Sequence, residues 1–371
     1  MLHRSMSRLA VAAAAGTVCA LVAAGAAMAG PPPPWSKKNP AVPDAFTNTT
    51  PALSEIQVNG RLGTFLAWKG QFDNKVQYKY KLNGHWYGTK VIPGARTNTS
   101  PSAALYTTKL GKEAVLVAWK GLGNGGLHSI KYSSGVVHNN GSIGWTKPHV
   151  LPGGLYSETS ASPALLFPAD ATHARVILAY RGPYDHVRIA IGTETGSAGL
   201  GFTWGTKKVK SAWVSGTAAG ETSGQPALAE ILGAGGNGTV YVFWTGEGKS
   251  AAEPIYYATT PDSATSGLDG DASLIWSAPS TVADGTGLAQ TTGSPAVASA
   301  DVHGDGPLLL AYKGPSGFYI RYQTFSAGVW APHLFVGGNN NTTGLGPALV
   351  HGILANVSRT TARIFLHHYQ G

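Results

Sequence analysis

A unit of sequence recurs six times along this chain, and this repetition constrains the fold more than any other feature. Each copy opens with a small residue followed by Leu or Val, at Ala52-Leu53, Ala104-Leu105, Ala164-Leu165, Ala227-Leu228, Ala296-Val297 and Ala348-Leu349. In five copies a proline comes directly before this pair, and a stretch rich in Ser and Thr comes before each pair. Repeats of this kind are typical of solenoids and propellers.

Three further elements complete each copy. An apolar run ends in an aromatic residue, one variable residue and glycine, at Trp68-Lys69-Gly70, Trp119-Lys120-Gly121, Tyr180-Arg181-Gly182, Trp244-Thr245-Gly246, Tyr312-Lys313-Gly314 and Tyr369-Gln370-Gly371. An alternating stretch, such as residues 76–80, and then a tryptophan follow in most copies. Short apolar or alternating runs bounded by turn residues predict β-strands, so each copy supplies four.

Four short strands in each unit of roughly 50 to 70 residues predict an all-β fold, a β-propeller. We predict six blades of four antiparallel strands; five blades with a loose remnant is the alternative count. A β-sandwich does not explain six copies, and a β-helix has too short a coil. The chain would start in an outer strand at Trp35 and end in an inner strand 2 at Gly371. The N-terminal outer strand and the C-terminal inner strands then share one blade and close the ring, although no segment is left for strand 3 of that blade.

The first 29 residues have the pattern of a secretory signal peptide. Arg4 and Arg8 precede an Ala-rich run, and Ala27-Met28-Ala29 is a small-x-small cleavage site. We therefore expect a signal peptide at residues 1–29, a single propeller domain at 30–371, and a secreted, extracellular monomer. The only cysteine, Cys19, lies in the signal, so a core rather than disulfides must stabilise the domain.

The charge pattern and the absence of long apolar stretches argue against nucleic acid and a membrane span as partners. Removing the signal lowers the net charge from +9 to +7, and no Lys/Arg cluster typical of nucleic-acid binding occurs. No later apolar stretch is long enough to span a bilayer. Asp301-Val302-His303-Gly304-Asp305-Gly306 is similar to a calcium loop but lacks a third carboxylate, so we prefer a tight turn. The histidine spacing does not match zinc sites, and neither metal nor cofactor is predicted.

Residues 115–121 followed by Ile130-Lys131-Tyr132-Ser133 resemble the repeats of secreted bacterial β-propellers related to the sialidase/Asp-box and propeller-lectin families. The turn between strands 3 and 4 in that group carries Ser-x-Asp-x-Gly-x-x-Trp, and residues 138–145 and 326–330 are degenerate forms of it. The resemblance implies a propeller over nearly all of the mature chain. Because the box is structural in those families, it implies no particular function.

The repeated triplets suggest a binding surface. In a four-stranded blade the connections from strand 4 to strand 1 and from strand 2 to strand 3 lie on one face, so the triplets recur around one mouth of the ring. Cations beside aromatic rings suit an anionic or hydroxyl-rich ligand. Our leading hypothesis is a lectin-like propeller without catalysis that binds an extracellular glycan or polysaccharide. The predicted ligand-binding residues are Trp68, Lys69, Trp119, Lys120, Tyr180, Arg181, Trp244, Tyr312 and Lys313.

Other interpretations remain open. The triplet aromatics can instead pack between blades, with the lysine stems covering them. The alternative function is a sialidase-like glycoside hydrolase, or a polysaccharide lyase, on the same scaffold. A hydrolase needs paired carboxylates, and we expect no acidic residue at a repeated position, so catalytic residues stay unassigned. A module for protein assembly, without a small ligand, is the third possibility.

Overall fold

A computed structural model describes residues 35–36, 40–122, 128–152, 156–157, 163–166, 175–195, 200–204, 222–232, 238–247, 252–261, 276–285, 287–300, 306–336 and 342–369. They form a six-bladed β-propeller, which confirms the predicted fold class and blade count. Pro34–Gly371 is one compact unit. The signal sequence and the calcium-like loop, apart from Gly306, lie outside the described residues. No helix within these ranges is long and apolar enough to cross a membrane.

Twenty-eight strands build the described part of the ring. They are β1 (Ala41–Phe46), β2 (Ala52–Val58), β3 (Arg61–Lys69), β4 (Lys75–Leu82), β5 (His85–Arg96), β6 (Ser102–Thr107), β7 (Glu113–Lys120), β8 (His128–Val137), β9 (Ile143–Trp145), β10 (His149–Val150), β11 (Tyr156–Ser157), β12 (Ala164–Leu166), β13 (Arg175–Arg181), β14 (Val187–Thr195), β15 (Gly201–Trp204), β16 (Ala227–Leu232), β17 (Gly238–Thr245), β18 (Glu253–Pro261), β19 (Ser280–Thr281), β20 (Gln290–Thr291), β21 (Ala296–Ser299), β22 (Leu308–Lys313), β23 (Ile320–Ser326), β24 (Val329–Trp330), β25 (Leu334–Phe335), β26 (Ala348–Val350), β27 (Ile353–Val357) and β28 (Arg363–His368). A short 3-10 turn spans Pro183–Asp185.

Each blade is an antiparallel sheet whose strands follow chain order from the centre outward. Blade 1 is β2-β3-β4-β5, blade 3 is β12-β13-β14-β15, and blade 6 is β26-β27-β28-β1. The outer strand is divided into short segments in the other blades: β9, β10 and β11 pair with β8 in blade 2, β19 and β20 with β18 in blade 4, and β24 and β25 with β23 in blade 5. Neighbouring inner strands contact one another in the order of blades 1 to 6 and back to 1.

Ring closure is confirmed, but the strand assignment in blade 6 was wrong. The C-terminus supplies three strands rather than two, because β26 has only three residues and the turn His351-Gly352 joins it directly to β27. Strand 3 is therefore β28, and Tyr369 follows it instead of ending a strand 2. The N-terminal strand β1 pairs with β28. The buried Lys79 of blade 1 also donates a hydrogen bond to the carbonyl of Pro43 in β1.

The core lies between blades. The described residues form six buried apolar clusters, and each combines side chains of two neighbouring blades. A tryptophan of the outer strand, or Trp35 before β1, repeatedly meets, edge to face, a tyrosine on strand 3 of the preceding blade. The pairs, with their centroid separations, are Trp145–Tyr78 (5.3 Å), Trp204–Tyr132 (5.6 Å), Trp330–Tyr257 (6.0 Å) and Trp35–Tyr322 (5.5 Å). This geometry is favourable for aromatic rings, which explains the recurring tryptophan.

The connectors, the segments between strand 4 of one blade and strand 1 of the next, share a threonine. The register aligns Ser102 with Ala52, so blade 2 begins two residues before the predicted Ala104, and a proline precedes strand 1 in all six blades. Four residues before each proline is a threonine: Thr47, Thr97, Thr159, Thr222, Thr291 and Thr343. All of these except Thr159, which is outside the described residues, are buried, and each Oγ1 accepts a hydrogen bond from the N–H two residues on. The Ser/Thr stretches are therefore scaffolding.

Replacing Thr97 by alanine is expected to lower the free energy of unfolding by about 1 kcal/mol, the usual contribution of one hydrogen bond. Thr97 Oγ1 accepts from Thr99 N at 3.1 Å, and its own N–H donates to Asn74 O, which holds the connector on the blade. Urea unfolding measures the change. Thr89→Ala, at an exposed position of β5, is the control; equal midpoints for the two variants would show that the connector threonine is dispensable.

Candidate functional site

The triplet aromatics are inaccessible in the structure. Trp68, Trp119, Trp244 and Tyr312 are 0% exposed and Tyr180 is 2% exposed. Each lies in the apolar cluster between its own blade and the preceding blade. These rings present no accessible surface to a ligand. They pack between blades, as the alternative interpretation predicts.

The variable residue of the triplet anchors neighbouring loops. Its contacts are Lys69 Nζ to Asn48 Oδ1 (2.9 Å), Arg181 Nη1 to Ser223 O (3.4 Å), Thr245 Oγ1 to Gly293 O (2.8 Å) and Lys313 Nζ above the Phe318 ring (5.2 Å). Arg181 also forms an ion pair with Asp185. Lys120 is 0% exposed, and burial lowers the pKa of Lys69. The basic side chains that we predicted to bind a ligand thus fix the connectors and loops on this face.

The structure places another candidate site at the centre of the ring. A cavity of about 260 Å³, which we call the chamber, is lined by the inner strands of all six blades. A smaller cavity of about 90 Å³ lies beside it, nearer the connectors and among their prolines. The two share an apolar ring of Leu53, Ala103, Leu165, Leu228, Val297 and Leu349. The smaller cavity lies on the connector side of this apolar ring, and the chamber lies on the opposite side, towards the face that we call the turn face.

Four polar residues of the chamber occupy one repeat position. Glu55, Glu230, Ser299 and His351 each stand three residues after the first residue of their inner strand. All four line the chamber. Glu55 belongs to blade 1 and Glu230 to blade 4, so the two carboxyl groups come from opposite sides of a six-membered ring. The expectation that no acidic residue has a repeated position was wrong.

Electrostatics distinguish Glu55. Its side chain is 22% exposed, and its Oε2 lies 3.9 Å from Nε2 of His351. Burial raises the pKa of Glu55, and the proximity of His351 partly opposes this rise. His351 reaches this place because the two-residue turn of blade 6 holds its backbone at φ 32°. Glu230 is 8% exposed. A carboxyl group whose pKa is raised by burial, with a second carboxyl group lining the same cavity, is suited to acid–base chemistry.

Sequence reasoning missed these residues although a signal was present. The segments Ala52-Leu53-Ser54-Glu55 and Ala227-Leu228-Ala229-Glu230 begin with the same pair and carry glutamate at the same place. No group of three or more His, Cys, Asp and Glu residues in the described ranges is arranged to hold a metal ion.

Comparison with known proteins finds distant structural neighbours only. No family model and no curated protein matches the chain. Among solved structures, an α-L-arabinanase of Penicillium chrysogenum complexed with arabinobiose is 10% identical, with a TM-score of 0.49, over 91% of this chain and 98% of that one. An exo-1,5-α-L-arabinanase from a bovine ruminal metagenomic library is 14% identical, with a TM-score of 0.42, over 81% and 98%. A glucose dehydrogenase is 10% identical, with a TM-score of 0.49, over 90% and 99%.

The prediction of a lectin-like protein without catalysis is corrected by these findings. The aromatic rings on which it depended are buried between blades. The chamber is lined by two carboxyl groups, those of Glu55 and Glu230, and the hydrolase alternative requires two.

Proposed function

We propose that this chain is a glycoside hydrolase whose active site is the chamber. The observation that supports the proposal is the placement of Glu55 and Glu230 in one cavity, at one repeat position, on opposed blades. Glycosidases use two carboxyl groups on either side of the scissile bond. Export through the predicted signal peptide at residues 1–29 stays part of the proposal, since an extracellular enzyme would meet polysaccharides.

The two carboxyl groups take different roles. Glu55, whose pKa is raised by burial, protonates the oxygen of the leaving group. Glu230 acts as the general base that activates water. Inverting enzymes separate the two groups by about 6.5–9.5 Å to make room for this water, whereas retaining enzymes hold them about 5–5.5 Å apart. Opposed blades with a cavity between them suit the wider arrangement, so we assign inversion.

The chamber also restricts the substrate. No arginine or lysine is among its described lining residues, which does not suit a sialidase-like site for an acidic sugar. Its volume of about 260 Å³ is below the range of roughly 300–1,000 Å³ of sites for drug-sized ligands. The site therefore suits one neutral sugar residue at a time.

A panel of substrates tests the function. It contains aryl glycosides of neutral sugars, including the α-L-arabinofuranoside and the β-D-xyloside, the polymers arabinan and xylan, and an aryl sialoside. We expect turnover of a neutral glycoside, with inversion at the anomeric carbon followed by NMR, and none of the sialoside. Absence of turnover across the panel, or an unsaturated product typical of a lyase, would overturn the hydrolase assignment.

Replacing His351 by asparagine is expected to shift the alkaline limb of kcat/KM to higher pH. The general acid works only while Glu55 is protonated, so activity is lost as pH rises through the pKa of Glu55. Since His351 lowers this pKa, its removal lets the proton stay to higher pH. A pH profile measures the shift, with His85→Asn, at an exposed position of β5, as the control. An unmoved limb, or a shift to lower pH, contradicts the role of Glu55.

A further inference from the structure

A second recess lies between blades 1 and 2, and the proposed chemistry does not use it. This groove has a volume of about 750 Å³ and is lined by residues 57–60, 111–113 and 136–140. These segments contain the turns β2–β3, β6–β7 and β8–β9, which join strands 1 and 2 or strands 3 and 4. The groove therefore opens on the turn face, on the same side of the apolar ring as the chamber.

The walls of the groove are held in place from both blades. In the β8–β9 turn, Asn140 Oδ1 accepts from Ser142 N at 2.9 Å and from Ser142 Oγ at 2.7 Å. Tyr80 of blade 1 donates to Gly141 O at 2.6 Å, and Asn59 Nδ2 donates to Asn139 O at 2.9 Å. This turn is the degenerate box of the sequence, with Asn140 bracing the turn through its side chain. It also joins blade 2 to blade 1, so the groove is preformed.

Several polar side chains around the groove are available to bind a ligand. Lys112, His138 and Asn139 are exposed, and within the described ranges their side chains make no hydrogen bond or ion pair. Glu113 accepts one hydrogen bond from Thr107, and burial raises the pKa of its carboxyl group. An ammonium, an imidazole, an amide and a carboxyl group together supply donors and acceptors. Sugar hydroxyls both donate and accept, so this mixture matches an oligosaccharide.

We propose that this groove binds sugar residues of a polysaccharide substrate remote from the bond that is cleaved. The inference rests on the proposed function, and it specifies the substrate as a polymer. The chamber is the size of one sugar residue, whereas the groove has almost three times its volume. No phenylalanine, tyrosine or tryptophan is among the groove's described lining residues. Recognition here works through hydrogen bonds to hydroxyl groups and not through stacking.

The double variant Lys112→Ala/Asn139→Ala tests the groove. We expect kcat/KM for the polymer to fall about tenfold, the loss of two ordinary hydrogen bonds, and kcat/KM for the aryl glycoside to stay unchanged. Thr89→Ala/Lys90→Ala, on the exposed part of β5, is the matched control. An unchanged rate on the polymer overturns the proposal, and so does an equal loss on both substrates.

Polymer binding by the Glu230→Gln protein provides a readout independent of activity. Affinity electrophoresis in gels that contain arabinan or xylan should show retardation, and the two groove substitutions added to this protein should reduce the affinity read from it about tenfold. If wild-type protein cleaves nothing in the panel, the hydrolase assignment fails while this measurement still judges the groove. Absence of retardation in both gels, or retardation unchanged by the substitutions, overturns the groove as a polysaccharide site.

Discussion

Replacing Glu230 by glutamine is expected to reduce hydrolysis of the active substrate by roughly 10²–10⁴-fold, the usual contribution of a general base. Glutamine keeps the size of the side chain and cannot take a proton from water. The loss should be the same for every leaving group, because the attacking water is activated in the same way each time. The substitution also removes a buried carboxyl group, so we expect a stable, folded protein in which the loss falls on kcat.

Replacing Glu55 by glutamine should give a different pattern. A dinitrophenyl group leaves without protonation, so Glu55→Gln is expected to keep most activity on dinitrophenyl glycosides and to lose it on polymers. The alkaline limb of the pH profile should disappear as well, because Glu55 is the acid that produces it. Glu253→Gln, outside the chamber, is the control. Equal losses for both leaving groups in both variants would contradict the division of roles between Glu55 and Glu230.

The fold could be predicted from the sequence because most of the described blades use the same contacts. The Trp–Tyr pairs between blades and the Thr-x-x-x-Pro connectors recur with the period of the blade, and they leave a periodic pattern. Blade 6 departed from the prediction because its inner strand β26 has only three residues before the turn at His351-Gly352, whereas β2 of blade 1 has seven before its own turn. If the spacing of the other blades is assumed, strand 2 of this blade is predicted to continue past its real end.

The candidate site was harder to predict for physical reasons. An aromatic residue at the end of a strand is compatible with a ligand-binding mouth and with an interface between blades. Only the position of the preceding blade decides between them, as for the buried Trp119. Glu55 and Glu230 are 175 residues apart in sequence, and they face one cavity only because the ring closes. His351 approaches Glu55 across the junction of the last and first blades, a contact that no local motif encodes.

His367 of β28 is in an environment that favours its neutral form. Its side chain is fully buried, and Nε2–H donates to Asn356 Oδ1 at 2.7 Å. Nδ1 is buried and has no hydrogen-bond partner in the described part of the chain. A proton on Nδ1 would place an unpaired donor and a positive charge in the core. Burial accordingly lowers the pKa of His367 from 6.5 to about 4, and the proximity of His368 adds to this.

Acidification from pH 6.5 to pH 4 is therefore expected to destabilise the propeller through His367. In this window the unfolded chain binds a proton at this residue and the folded chain does not, so stability falls as pH decreases. The difference between pKa values of 6.5 and about 4 corresponds to about 3 kcal/mol. The full contribution is present above pH 6.5, and nothing more is lost below pH 4.

The variant His367→Gln separates this contribution from those of other groups, including His368, whose pKa burial also lowers. Glutamine can still donate to Asn356 and does not titrate. We expect the variant to be less stable than the wild type at pH 7.5, because its packing is altered, and the gap to close as pH falls to 4. Urea unfolding at several pH values measures the gap, with His85→Gln as the exposed control. A gap that stays constant with pH would show that His367 is not held neutral by the fold.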